Sequence, residues 1–286
     1  MKIRIPKLWV DVCLSKRVLI NTYETNRFVK LIGVFCLLKS TTTTGILHNW
    51  RNQSQLRSLC KLSRNSFKAT INQLNELGLV DCVGHDLKLR GWNKASHIIH
   101  QDEHDNDFVL FEYDITNDAK IHHYFFALNI KENQIKQRKS FENRLKYNPH
   151  IKQQLIDGIC ITYDMNIHQV EKMTIDEFSE RVYQMQNIQF CSGTPGTDIF
   201  KFNPDVNRSI VAMKHDWNFK SSKSVSYYKK RLMEVGLTHT EKIGQLISAT
   251  KNRIRLVPGY SDGFNQLLKL PTWNRVDRVH IQLEIA

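Results

Sequence analysis

Long apolar runs, paired cysteines and enzyme signatures are all missing from this chain of 286 residues. The most apolar stretch, Phe28 to Leu38, is broken by Lys30 and followed by Lys39 and threonines. It falls well short of the ~20 apolar residues that cross a bilayer. Met1 to Ile20 mixes lysine, arginine, aspartate and proline into its apolar residues, unlike the core of a secretion signal. The six cysteines (Cys13, Cys36, Cys60, Cys82, Cys160 and Cys191) form no C-x-x-C pair and no zinc-ribbon spacing. Neither a disulfide framework nor a metal site is expected. A GxxxxGK[ST] phosphate loop and a GxSxG nucleophile elbow are absent too. The expectation is a soluble cytoplasmic protein that is not an enzyme, with no cofactor and no membrane partner.

What is abundant is positive charge. Lysine and arginine number 41 against 28 aspartates and glutamates, a net charge of +13, while 41% hydrophobic and 24% charged residues mark an ordinary globular composition. The charge is segregated along the chain. Residues 1–100 hold 16 basic against 5 acidic residues, 101–205 hold 11 against 17, and 206–286 hold 14 against 6. Two basic ends flank an acidic middle, a pattern expected of separate modules with a polyanionic partner. This sets the expected domains: 1–95, 96–205 and 206–286.

The first basic segment is the most legible. Phe28, Leu31, Ile32, Phe35 and Leu38 recur at helical spacing and predict a helix over 27–39. A short helix is expected at 53–60, a tight turn at Lys61-Leu62-Ser63 with Ser63 as N-cap, and a helix from Arg64 to Leu77. Phe67, Ile71, Leu74 and Leu77 form its inner stripe, and Gly78 stands where a helix C-terminus takes a left-handed residue. Leu79–Val83 and Asp86–Leu89 then read as a hairpin turning at Gly84-His85. With Phe67, Ile71 and Leu74 inward, the outward face is Asn65, Ser66, Lys68, Ala69, Asn72 and Gln73. Asparagine and glutamine can pair twice with an adenine edge, and lysine binds phosphate or guanine.

A second copy stands near the other end. In FKSSKSVSYYKKRLMEVGL, Val225 falls on Phe67, Leu232 on Leu74, Gly236 on Gly78 and Leu237 on Leu79 when the two Gly-Leu pairs are aligned. Lys229 stands opposite Ile71, and Tyr228 is expected to turn inward to cover that gap. The outward face is then Lys223, Ser226, Tyr227, Lys230 and Arg231. Ile210–Phe219 would be the preceding helix. Residues 237–242 and 253–257 would be strands of a hairpin carrying Lys242, Lys251, Arg253 and Arg255, where phosphate contacts are expected.

The order helix, helix, turn, helix, hairpin resembles the winged helix-turn-helix family, most specifically in LSRNSFKATINQLNELGLV. That resemblance implies that the last helix enters the major groove while the hairpin touches the flanking backbone. The expected fold is therefore α+β and mostly helical, with two winged helix-turn-helix domains separated by an α/β middle region. Tandem copies in one chain also resemble plasmid and phage replication initiators. The resemblance implies double-stranded DNA as partner and DNA replication as the process. Transcription regulation fits the same residues, and a structural or adaptor protein using winged helices for protein contacts is a further alternative.

Between the copies, His97–Asp107 gathers histidines among carboxylates but reads as a solvated linker. Phe108–Tyr113 and His122–Ile130 are expected as paired strands, Lys131–Tyr147 as a charged helix, and Thr174–Glu177 as a capping box. Gly193–Gly196 reads as a loop. Ile3–Val12, Val18–Ile20 and Arg278–Ile285 read as strands. The middle is expected to serve as a spacer, a homodimer contact, or a surface for a replication or transcription protein. A DNA-nicking enzyme would need a His-apolar-His metal pair with its tyrosine. Tyr227-x-x-Lys230 matches the tyrosine spacing, but no such histidine pair exists.

Overall fold

A computed structural model of the chain describes residues 1–14, 25–100, 108–191 and 209–241, and strands at 245–248, 254–257, 273–276 and 282–284. In chain order, β1 (Lys2–Pro6), α1 (Lys7–Leu14) and α2 (Thr25–Ser40) precede β2 (Ile46–Leu47), a 3-10 turn, α3 (Ser54–Cys60) and α4 (Arg64–Glu76). The strands β3 (Val80–Val83) and β4 (Asp86–Leu89) lead into α5 (Trp92–His100) and β5 (Phe108–Glu112). Four helices follow: α6 (Ile121–Lys146), α7 (Pro149–Tyr163), α8 (Ile167–Glu171) and α9 (Ile175–Cys191). After α10 (Ile210–Asp216) and α11 (Ser222–Glu234) come β6 (Thr238–Glu241), β7 (Gln245–Ser248), β8 (Ile254–Val257), β9 (Trp273–Val276) and β10 (Gln282–Glu284). The protein is mostly helical, with small sheets.

Two compact units are each discontinuous in sequence. The first comprises Met1–Ile130, Ser209–Thr238 and Val276–Ala286, and the second Lys131–Arg208 and His239–Arg275. The boundary falls inside α6. Both basic helix pairs thus belong to the first unit, together with part of the acidic middle.

The first unit is built on α2, where every residue from Phe28 to Leu38 except Lys30 is buried. A helix apolar on all sides has to sit within a core. Its sheet has the order β1-β5-β10, with both outer strands antiparallel to β5. Ile3 lies opposite Phe111, and Ile5 and Leu283 both face Val109, so the two chain ends flank β5 rather than pairing with each other. Where a strand was expected to reach Val12, β1 stops at Pro6 and α1 begins. Among its described side chains Trp9, Val10, Cys13 and Leu14 are buried, a 3-and-4 spacing that wins once proline has ended the edge strand. Trp9 donates its indole N–H to Ser96 Oγ at 3.0 Å and meets Trp92 edge-on at 5.5 Å, which docks α5.

Two expectations in the middle are corrected. His122–Ile130 is not a strand paired with Phe108–Tyr113 but the start of the 26-residue α6. Every residue from Ile121 to Ile130 is buried, so no polar face was present to reveal the helical period. His97–His100 is likewise not linker but the last part of α5, held by Ala95, Ser96 and Ile99 in the core. Residues 101–107, Val18–Ile20 and the Gly193–Gly196 loop lie outside the described residues.

The second unit has its own core: Phe141 and Leu145 of α6, Leu155, Ile156 and Ile159 of α7, Val170 of α8, and Phe178, Val182 and Met185 of α9. The expected capping box opens α9. Thr174 Oγ1 accepts from the Glu177 N–H at 3.2 Å, and Glu177 Oε2 accepts from the Thr174 N–H at 2.8 Å. The hydrogen bonds that the Glu177 carboxylate accepts from the Thr174 N–H and hydroxyl hold it below its ordinary pKa.

Back in the first unit, Trp217 is fully buried, donates its indole N–H to Asn129 Oδ1 at 2.9 Å, and stands edge-on to Phe126 at 4.8 Å. Trp217→Ala leaves a cavity and removes the indole hydrogen bond to Asn129, and is expected to cost about 3–5 kcal/mol in urea unfolding. A loss under about 1 kcal/mol would show that this indole does not anchor the core.

Candidate nucleic-acid interface

The first helix pair is closed by a left-handed residue. Lys61 has φ of 53°, and the N–H groups of Lys61 and Leu62 bond back to Ser58 O and Arg57 O at 3.0 and 3.1 Å. Ser63 then caps α4, its Oγ accepting from the Ser66 N–H at 3.3 Å. Phe67, Ile71 and Leu74 are buried, as the spacing requires. At the far end Gly78 takes φ of 73°, and the Leu79 N–H bonds Leu74 O at 3.0 Å. The hairpin that follows pairs Val80 with Leu89 and Val83 with Asp86, and β2 joins it in the order β2-β4-β3.

The second pair repeats these devices. Asn218 has φ of 49°, and the N–H groups of Asn218 and Phe219 bond back to His215 O and Lys214 O at 3.1 and 3.0 Å. Ser221 caps α11 through the Lys223 N–H at 3.0 Å. Gly236 takes φ of 68°, and the Leu237 N–H bonds Leu232 O at 2.9 Å. Both α4 and α11 run for 13 residues, and both α3 and α10 for 7. The turns differ by one residue: one residue separates Lys61 from Ser63, whereas two separate Asn218 from Ser221. The sequence alignment by Gly-Leu therefore holds for the second helix, and shifts by one in the helix before it. With that shift Met213 stands on Leu56 and Trp217 on Cys60, all four buried. Tyr228 is buried as expected, stacked on Phe219 at 5.3 Å and against Phe126 at 4.5 Å. Lys229 is half-buried in the place of Ile71, and burial lowers its pKa.

On α4, Asn65, Ser66, Lys68, Ala69 and Asn72 are exposed along one face, with Gln73 half-buried at its edge. Ser66 is partly committed, since its Oγ accepts from the Ser63 hydroxyl at 2.9 Å. On α11, Lys223, Ser226, Tyr227 and Lys230 are exposed, and Arg231 is half-buried with its guanidinium on Glu234 at 3.0 Å. The expected second hairpin is corrected. Thr238–Glu241 pairs with Trp273–Val276, while Ile254–Val257 pairs with Gln245–Ser248. Arg255 lies on β8 opposite Ile247, and Lys242, Lys251 and Arg253 lie outside the described residues. Sequence reasoning passed over Lys88. It is exposed on β4 between buried Leu87 and Leu89, an alternation that was readable. Arg64, exposed in the first turn of α4, was also missed.

Among the described residues no helix is long and apolar enough to cross a membrane. Compared with protein-family models, curated proteins and solved structures, the chain matches none significantly.

A β-carbon at Gly78 would come no nearer than 3.8 Å to another side chain, and one at Gly236 would meet nothing within 4 Å. The cost of alanine there is therefore the left-handed backbone alone. Gly78→Ala and Gly236→Ala should each lose about 1–2 kcal/mol in chemical denaturation. A neutral result at either position would remove that glycine from the repeat.

Proposed function

We propose that this chain is a double-stranded DNA-binding protein of the replication-initiator kind, gripping DNA with two winged helix-turn-helix elements and performing no catalysis. The observation that carries the reading is the repeat itself. Two 13-residue helices share a serine cap, a left-handed glycine exit and an inward stripe. Each turns a polar or basic face to solvent. Asn65, Asn72 and Gln73 would read base edges from α4, with Lys68, Lys88 and Arg64 on the backbone. Lys223, Lys230, Ser226 and Tyr227 would hold phosphates from α11. Two elements in one chain can engage two half-sites without a dimer, at high effective concentration.

A protein-contact role for the second element has support from one observation. Val211 is 73% exposed and Tyr227 65%, beside exposed Ile210 and Met233, so this pair shows more apolar surface than the first.

A gel-shift titration with random duplex DNA at two salt concentrations tests the DNA reading. Binding at low salt with steep loss at high salt is expected, and no binding at low salt refutes it. Replacing Asn65, Lys68 and Asn72 by alanine should relax sequence choice by about 1–3 kcal/mol per base read. Lys223→Gln and Lys230→Gln should each lower the log-log salt slope by about one. An unaltered slope would remove α11 from the interface.

A further inference from the structure

A basic cleft of about 360 Å³ opens in the first unit beside α11. It is lined by Lys30 of α2, by Lys120, His122 and His123 at the start of α6, and by Tyr227, Tyr228, Lys230, Arg231 and Glu234 of α11. Four basic side chains, Lys30, Lys120, Lys230 and Arg231, meet there from three segments against one carboxylate. That carboxylate is already engaged, Glu234 lying 3.0 Å from Arg231 and 3.9 Å from Lys230.

The floor is polar. His122 is only 5% exposed and His123 4%. His123 Nδ1 accepts the Lys120 N–H at 3.1 Å, which puts the proton of the neutral ring on Nε2 and makes that nitrogen a donor. His122 stands 4.2 Å from the His123 ring and 6.4 Å from the Tyr228 ring, centroid to centroid. The positive end of the long α6 begins at this floor.

From this convergence we infer that the cleft is a binding site for a phosphate group. A monocarboxylate would leave most of the charge unbalanced. A phosphate dianion offers oxygens in several directions, matching ammonium, guanidinium and imidazole donors that approach from different elements. The exposed Tyr227 ring at the rim can stack on a base attached to that phosphate. The group comes either from the backbone of DNA lying along α11 or from a free phosphorylated nucleoside. The first source rests on the function proposed above, while the site itself does not.

Burial and mutual repulsion act on the basic groups of the cleft. Burial lowers the Lys30 pKa, and Lys120 lowers it further. Burial pushes His123 down to about 4, assisted by Arg231, Lys120, Lys30 and Lys61. His122 is lowered by burial first and then by His123, Lys30, Lys120 and Arg231. Phosphate favours the protonated rings, so both pKa values should rise on binding.

The test is calorimetric titration of the full chain with inorganic phosphate and with adenosine monophosphate, alongside imidazole proton NMR. Wild type should bind, with the His122 and His123 resonances titrating at higher pH in the presence of phosphate. The exposed pair Lys30→Gln and Lys120→Gln, checked for folding by circular dichroism, should weaken binding about tenfold or more. If free phosphate competes with duplex, and the Lys30/Lys120 variant flattens the salt slope of duplex binding, the source is the DNA backbone. If phosphate binds while duplex binding is unaffected or absent, the source is a free nucleotide, and DNA recognition stands or falls on its own titration. No phosphate binding by wild type, or no movement of either imidazole, overturns the site.

Discussion

One ammonium group ties the two helix pairs of the first unit to a shared segment. Lys61 sits in the left-handed turn between α3 and α4, a conformation that costs a non-glycine residue about 1 kcal/mol. Its Nζ donates to Asp114 O at 3.3 Å, Ala119 O at 2.7 Å and Asn117 O. Those carbonyls belong to the segment between β5 and α6. In the same segment Asn117 donates its side-chain N–H to Val235 O at 2.8 Å, closing the C-terminus of α11. Tyr113 Oη reaches Leu59 O at 3.2 Å, and the Asp114 N–H reaches Tyr124 Oη at 3.2 Å. The segment is therefore a clasp, with the turn before α4 on one side and the exit of α11 on the other. Burial lowers the Lys61 pKa, and the charges of Asp114 and Asp118 act against that lowering.

The clasp explains why charge blocks along the chain are a poor guide to compact units. The acidic block begins at residue 101, yet its stretch from Phe108 to Ile130 supplies the strand, clasp and buried helix on which the basic elements rest. Phe126 alone meets Trp217, Phe219 and Tyr228. A sum of charges counts residues in chain order, whereas packing counts neighbours.

Legibility followed the range of the interactions. The bounds of α4 and the inward stripe of Phe67, Ile71 and Leu74 were readable because period, cap and exit glycine all lie within 16 residues, from Ser63 to Gly78. The same local grammar revealed α11. What failed was set by distant partners. The opening of α6 has no polar side, so its period was invisible until its neighbours were known. Pairing of Thr238–Glu241 with Trp273–Val276 skips the nearer strands that local hairpin logic favours. The longer turn at Asn218 was hidden because the alignment was anchored at the glycine downstream of it. The basic cleft draws Lys30, Lys120 and Lys230 from three segments, and nothing local links them.

The two outward faces are chemically unequal although the packing beneath them is largely shared. On α4, Ile71 fills the inward position, leaving the face to amides and one lysine. On α11, Lys229 stands half-buried at that position and Tyr228 is buried beside it, while Val225 and Leu232 keep the places of Phe67 and Leu74. Tyr227 and Lys230 both line the cleft, so the basic face of α11 continues into a pocket. In the proposed function, α4 would then discriminate among bases while α11 binds phosphate. The asymmetry lies in the outward residues themselves: Asn65, Ala69, Asn72 and Gln73 of α4 have Lys223, Tyr227, Lys230 and Arg231 as their counterparts on α11.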